Sequence, residues 1–170
     1  MLFEIGWIKG LAPLTGSPSF SFTVVVAVLL VASGLGGWLS ERVEKRHLLT
    51  IGVLAASMLA GSAVSLRFIL PILPGMSPVP MRITVSALVA IPGTLLGMPL
   101  PLVMRILCRD ATDQILGWAL NGTASVLASI GSAGLALLLG IQSLLWMAVL
   151  VYLGVIGLWI VAVRARKGRG

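Results

Sequence analysis

The twenty uncharged residues Phe20-Ser-Phe-Thr-Val-Val-Val-Ala-Val-Leu-Leu-Val-Ala-Ser-Gly-Leu-Gly-Gly-Trp-Leu39 are long enough to cross a bilayer as one helix. The hydrocarbon core of a membrane takes about 20 apolar residues per helix. Four further uncharged runs meet this requirement, at residues 48–66, 83–104, 115–139 and 141–163. The sequence therefore predicts an all-α integral membrane protein, with five transmembrane helices in a single domain over residues 20–163.

The composition supports this class. Hydrophobic residues make up 58% of the chain and charged residues 10%, and the mean hydropathy is +1.10, so there is too little polar surface to cover a soluble domain. The net charge of +7 comes from Lys and Arg at the ends of apolar runs, which indicates orientation in a membrane rather than a nucleic-acid partner. The single cysteine, Cys108, excludes an internal disulfide.

The basic residues are distributed unevenly between the two sides of the predicted helices. If the first full span runs inward, Lys9, Arg67 and Arg82 lie outside and the other basic residues lie in the cytoplasm. Short cytoplasmic loops carry the excess of Lys and Arg. We therefore predict a bacterial-type inner membrane, the N-terminus outside, and a basic cytoplasmic tail over residues 164–170. The outer connections would be a tight turn at 140–143 and a proline-stiffened, extended loop over 67–82.

Residues 1–19 are too short to span the bilayer. Pro13, Gly16 and Pro18 interrupt this stretch before the first full span begins. The sequence predicts a short helix that lies flat in the outer interface.

The segment Gly37-Trp-Leu-Ser-Glu-Arg-Val-Glu-Lys-Arg46 resembles the loop between the second and third helices of major facilitator superfamily transporters. The features that match are Gly37, the acidic and basic pair Glu41 and Arg42, and the bases Lys45 and Arg46. A glycine lets helices approach closely, and an acidic side chain can pair with a base or a helix N-terminus. The alternative is that any short cytoplasmic loop tends to be basic.

A second resemblance covers most of the chain. Glu4-Ile-Gly-Trp-Ile-Lys9, Gly97-Met-Pro-Leu-Pro-Leu102 and Trp118-Ala-Leu-Asn-Gly-Thr-Ala-Ser-Val-Leu127 resemble, in the same order, the membrane region of spermidine synthase-like fusion proteins. That resemblance implies a facilitator-like helical domain ahead of a soluble aminopropyltransferase-type domain. It further implies a truncated six-helix facilitator half, with the first helix reduced to its outer end and the chain ending where the soluble domain would begin.

The residues needed for polyamine synthesis are not recognisable in the sequence. No glycine-rich nucleotide loop follows a strand, and no pair of aspartates is placed to hold an amine substrate. The whole chain has five acidic residues. We therefore expect no catalytic residues, no metal site and no enzymatic activity.

Small residues mark two of the predicted helices as closely packed. Asn121, Ser125, Ser129 and Ala133 recur every fourth residue in the fourth span. The second span has a similar face, formed by Gly52, Ala56, Ala60 and Gly61. Both helices are predicted to lie in the interior of the bundle. For the Asn121 amide, an interhelical hydrogen bond is preferred over a substrate or cofactor contact.

The third span is interrupted over its inner half by Pro92, Gly93, Gly97, Pro99 and Pro101. Such a break marks either a binding site or gate, or a helix bent around a neighbour, and the sequence leaves both open.

His47, the only histidine, stands at the start of the second span. It can ligate haem or a chlorophyll-like pigment, although an interfacial histidine beside a basic loop is the interpretation we prefer. We predict no cofactor.

Two functions remain. The preferred one is a non-catalytic membrane subunit, a reduced facilitator-like module that contacts lipid and packs within a hetero-oligomeric complex or anchors a separately encoded partner. The alternative is a half-size transporter that works only as a homodimer, for polyamines or another small solute.

Overall fold

The computed structural model describes residues 1–15, 18–69, 71–75, 77–108 and 110–167. These ranges are almost entirely helical. The elements are α1 (Leu2–Thr15), α2 (Pro18–Ser40), a 3-10 turn (Lys45–His47), α3 (Leu48–Ile69), a second 3-10 turn (Leu73–Gly75), α4 (Pro78–Gly97), α5 (Pro99–Leu107), α6 (Ala111–Leu139) and α7 (Ile141–Lys167).

The five predicted membrane-length helices are confirmed. They are α2, α3, α4 together with α5, α6 and α7, each long and apolar enough to cross a bilayer. The predicted boundaries hold to within a few residues, except that α7 continues to Lys167 and so includes the first part of the predicted tail. Arg109 and residues 168–170 lie outside the described residues.

The helices form a bundle with a clear centre and edge. We call the end that carries residues 40–47 the inner end, and the end that carries residues 71–75 and Gly140 the outer end. In this bundle α2 packs along α4, α3 packs along α7, and α1 lies between α2 and α7. The main core is built from α1, α2, α3, α4 and α7, and includes Trp7, Val25, Leu59 and Leu145.

The first helix differs from its prediction. We expected an interfacial segment outside the bundle, but α1 packs into the core, with Phe3, Trp7 and Leu11 at most 5% exposed. Two glycines allow the close approach. An added β-carbon on Gly6 would lie 3.0 Å from Leu145, and one on Gly10 would touch Leu66 in the same way. The interfacial placement is therefore wrong, and Gly16 lies outside the described residues.

The outer loop is also shorter than predicted. We expected an extended segment over 67–82, but α3 continues to Ile69 and α4 begins at Pro78. Proline is tolerated in the first turn of a helix, where the backbone N–H has no intrahelical partner. Leu73, between the two helices, is 1% exposed and belongs to the main core. The other outer connection is the expected tight turn, where Gly140 at φ +81° separates α6 from α7.

Candidate functional site

The closest helix crossing in the bundle joins α2 to α4. A β-carbon on Gly36 would overlap the carbonyl of Thr94, and one on Gly97 would overlap the backbone of Ser33. Only glycine permits such a backbone approach. Gly97, predicted as part of a helix break, therefore has a packing role in this crossing.

The predicted break in the third span lies at Met98, the single residue between α4 and α5. Pro92 is accommodated inside α4, and an added β-carbon on Gly93 would lie 2.9 Å from the Leu29 side chain of α2. The positions of Pro92 and Gly93 favour the second interpretation of the break, a helix that bends around a neighbouring helix. Pro99 and Pro101 of α5, however, line a cavity, so the interruption also shapes an open space.

Arg105 of α5 holds the end of α2. Its guanidinium donates hydrogen bonds to the carbonyls of Ser40, of Glu41 at 3.0 Å and of Val43 at 3.1 Å. The last carbonyls of a helix have no intrahelical donor and carry partial negative charge, which a cation complements. Our sequence reasoning missed this role, because the positive-inside rule already accounts for an Arg at a helix end. The sequence has no local signal that joins residues so far apart.

The contacts observed in the loop from Gly37 to Arg46 differ in part from those that the facilitator-like motif suggests. Arg42 stacks over the Trp38 ring at 4.2 Å. The ion pair in this loop joins Arg46 to Glu44, with Arg46 Nε 2.7 Å from Glu44 Oε2, whereas the resemblance emphasised Glu41, whose carbonyl binds Arg105. Gly37 accepts a hydrogen bond from the Ser40 hydroxyl at its carbonyl, and Lys45 lies in the 3-10 turn.

His47 is exposed at the inner end. Its Nε2 accepts a hydrogen bond from Arg46 Nε at 3.3 Å. Among the described residues, no group of three or more His, Cys, Asp or Glu side chains is placed to hold a metal ion. The histidine therefore lies beside a cation in a basic loop, the setting that the preferred interpretation gave it.

Two adjoining cavities form a cleft in the middle of the bundle. The outer cavity, about 420 Å³, lies beside the start of α1 and is lined by Leu2, Phe3 and Ser125, among others. The inner cavity, about 800 Å³, lies between α2, the end of α4, α5, α6 and α7. The two cavities share Leu96, Asn121, Val151 and Tyr152. We call the pair the central cleft.

Asn121 and Tyr152 provide polar groups where the two cavities meet. In the part of the chain that the structure describes, neither side chain forms a hydrogen bond. Both stand well inside helices of membrane length. The sequence draws attention to Asn121 as an amide within an apolar run, but not to Tyr152, because an aromatic residue with a polar tip is common both inside a bundle and at a membrane interface.

The residues predicted to pack helices are placed unequally. In α3, Ala56 is 4% exposed, Ala60 packs against the main core, and an added β-carbon on Gly52 would lie 3.3 Å from Ile156. Gly61 faces open space. In α3, therefore, three of these four residues contact other helices, and the role predicted for them in packing stays a prediction.

The interior position predicted for α6 is wrong. This helix is the least buried of the five and packs mainly against α7 at the edge of the bundle. Asn121 and Ala133 are exposed, Ser125 and Ser129 are half-buried, and Ser132 is buried. Whether these α6 residues pack against another helix stays a prediction.

The sequence is similar to two proteins of Ralstonia nicotianae, named polyamine aminopropyltransferase 1 and polyamine aminopropyltransferase 2. It is 34% identical to each over 122 residues, which cover 66% of this chain. The chain spans 23% of the length of these curated relatives. No family model matches the chain, and no solved structure matches it.

This similarity corrects one expectation. We expected no enzymatic activity, because the residues for polyamine synthesis are not recognisable in the sequence. Both relatives are named for an enzymatic activity, the transfer of an aminopropyl group, so the expectation is contradicted. The motifs that suggested the spermidine synthase-like resemblance therefore agree with an independent similarity to polyamine aminopropyltransferases.

Proposed function

We propose that this chain is a membrane-embedded module of a polyamine aminopropyltransferase, and that it holds the aminopropyl-transferring part of that enzyme at the membrane. The observation that carries the proposal is the 34% identity to two such enzymes over 122 residues, in a chain with five helices of membrane length. Any one apolar helix can retain a protein in a bilayer. A bundle of several packed helices provides in addition a fixed inner surface for a partner.

The proposal includes a facilitator-like arrangement. The core position of α1 supports it, because α1 packs against α2, α6 and α7 as a sixth member of the bundle. The basic loop at 37–46 and its contact with Arg105 support it at the inner end. We propose that this rigid inner end faces the aminopropyltransferase part, and that other chains complete a larger membrane complex.

The lining of the central cleft is the reason for preferring the role of a membrane module over that of a polyamine transporter. Polyamines are cationic, and a cation inside a membrane protein requires a carboxylate or several oriented carbonyls. The residues that the structure places around both cavities include no Asp or Glu. A polyamine in this cleft would therefore lie in an apolar space without a counter-charge.

Co-purification tests the proposed function. The chain, carrying an affinity tag, is isolated from its native host in a mild detergent, and the eluate is assayed for aminopropyl transfer to labelled putrescine. We expect transfer activity to elute with the chain, and to leave the membrane fraction with detergent but not with high salt. An eluate without transfer activity, from a chain that polyamines stabilise against heating, would instead favour the dimeric transporter.

A matched pair of variants shows whether the co-purified activity binds the folded bundle or adheres to the chain non-specifically. Gly36→Leu places a side chain into the α2–α4 crossing, whereas Gly34→Leu, in the same helix, meets open space. We expect the first variant to lose most of the co-purified activity and the second to retain it. Equal recovery with both variants would contradict a role for the packed bundle.

A further inference from the structure

We propose that the central cleft binds a neutral lipid, with the polar head group of the lipid at Asn121 and Tyr152 and its hydrocarbon chain in the inner cavity. The proposal goes beyond the proposed function and does not depend on it. It begins from the two polar side chains. Within the described residues neither has a hydrogen-bond partner, and both line the outer cavity as well as the inner one.

Unpaired polar groups are costly at this depth. Asn121 is the eleventh residue of a 29-residue helix and Tyr152 the twelfth of a 27-residue helix, so both lie far from the helix ends. An amide or phenol in hydrocarbon without a partner costs on the order of 1–3 kcal/mol. A ligand group that both donates and accepts hydrogen bonds, such as a hydroxyl, can satisfy the two side chains together.

The rest of the lining determines the remaining chemistry of the ligand. Leu30, Val103 and Val155 are among the side chains around the inner cavity. Away from Asn121 and Tyr152 the lining is mainly apolar, so this part of the cavity offers water few hydrogen-bond partners. A volume of about 800 Å³ is within the range of small-molecule sites. The lining therefore fits a hydrocarbon chain.

Charge decides between head groups. Among the described residues, those around the two cavities include no Asp, Glu, Lys, Arg or His side chain, and the N-terminal ammonium of Met1, which lines the outer cavity, is paired with Glu4 Oε2 at 4.0 Å. A fatty-acid carboxylate or an alkylammonium would enter the cleft without a counter-charge, at a high desolvation cost. A neutral glycerol or other hydroxyl head carries no such cost, so the neutral class is preferred.

The cleft also has an accessible side. Trp118 and Asn121, both on α6, line the inner cavity, and Trp118 is 60% exposed. This edge of α6 is open to the surrounding membrane, so a lipid can reach the cleft laterally. It further provides a fluorescent reporter, because none of the other four tryptophans of the chain lines either cavity.

Tryptophan quenching tests the proposal. The purified protein in detergent is titrated with a brominated monoacylglycerol, and separately with the same brominated chain carrying a carboxylate or a trimethylammonium head. The signal of interest is the quenching that disappears in Trp118→Phe. We expect this component to saturate, and to do so at a lower mole fraction for the glycerol head than for either charged head.

Side-chain variants locate the head group. Asn121→Val and Tyr152→Phe each remove one hydrogen-bonding group, and we expect each to raise the half-saturating mole fraction about fivefold. Thr123→Val is the matched control, since Thr123 is exposed on the same helix and bonds its own helix backbone at the Ala119 carbonyl. It should leave the titration unchanged. Size-exclusion chromatography confirms that each variant remains folded, and Tyr152→Phe, the smallest change, serves if Asn121→Val does not fold.

Four results would overturn the proposal. The Trp118 component could fail to saturate, it could be the same for all three head groups, or the two cleft variants could behave like Thr123→Val. A partner helix that fills the cleft would remove the Trp118 component altogether, and would overturn the lipid proposal as well. None of these results bears on the co-purification of aminopropyltransferase activity, so the two proposals fail separately.

Discussion

Arg105 is the residue whose side chain links α5 to the inner end of α2. It contributes one cation to three carbonyls at the end of α2 and in the following turn, of which the Ser40 carbonyl also accepts the Val43 N–H at 3.2 Å. Hydrogen bonds to a charged group contribute about 1.5–3 kcal/mol where they are buried, and less at an exposed site such as this one. The planar guanidinium is suited to several acceptors at once, whereas a lysine ammonium is not.

We therefore expect Arg105→Lys to lower the free energy of unfolding by about 1–2 kcal/mol although the charge is kept. Unfolding in mixed detergent micelles, followed by circular dichroism, measures the change. Arg42→Lys is the control, because the exposed stacking of Arg42 on Trp38 contributes only about 0.5–1 kcal/mol. Equal effects of the two substitutions would show that charge alone, and not the geometry of the guanidinium, matters at Arg105.

Trp7 has a buried donor whose role can be tested. Its side chain is 1% exposed, and its indole nitrogen has no acceptor among the described residues. Trp7→Phe removes this unpaired N–H and keeps an aromatic ring, so we expect stability within about 1.5 kcal/mol of the wild type. Trp7→Ala should cost about 3–5 kcal/mol through the cavity it leaves. A Trp7→Phe variant as unstable as Trp7→Ala would show that the indole has a partner.

At the scale of helices, the α2–α4 crossing is the contact that an added methyl group should disturb most. We expect Gly36→Ala to destabilise the bundle by more than about 2 kcal/mol, because its methyl group would overlap the Thr94 carbonyl. Gly34→Ala, two residues away, meets nothing within 4 Å and gains about 0.5–1 kcal/mol of helix propensity. Thermal unfolding of both variants in one detergent gives the comparison. A Gly36→Ala protein at least as stable as Gly34→Ala would contradict the close crossing.

The sequence predicts which segments of the chain form helices better than it predicts where each helix lies in the bundle. Hydropathy locates the five long helices, because the length of an uncharged run is fixed by the bilayer itself. The same rule misplaces α1, since a helix of 14 residues fails the length criterion although Phe3, Trp7 and Leu11 form a continuous buried face. The spacing of these residues by four places them on one side of a helix, but only tertiary contacts show what that side packs against.

The central cleft could be predicted from the sequence only in part. Asn121 stands out as an amide within an apolar run, so its importance is visible in the sequence. Small residues along α6, however, describe a face that can meet another helix of the same chain, a partner or lipid. The pattern therefore does not show which neighbour α6 meets, and only the fold places Asn121 of α6 and Tyr152 of α7 in the lining of the same two cavities.

For the whole molecule, the uneven charge predicts that the inner end lies in the cytoplasm. The single cysteine makes a test direct. In a Cys108→Ser background, we expect a membrane-impermeant maleimide to label Leu139→Cys, at the outer end, in intact spheroplasts. Glu44→Cys, in the exposed inner loop, should be labelled only in inverted vesicles. Gel shift measures both, and the reversed pattern would show the opposite orientation.

The contact between Arg105 and Ser40 joins residues 65 positions apart in the chain. A ribosome that adds about 5–20 residues per second needs roughly 3–13 seconds between these two points. During that interval α2 and α3 have already emerged, and the carbonyls of Ser40, Glu41 and Val43 lack the cation that Arg105 provides. The nascent chain would therefore acquire its final inner edge late in synthesis, and a slowed ribosome would prolong the time in which that edge is exposed to proteases.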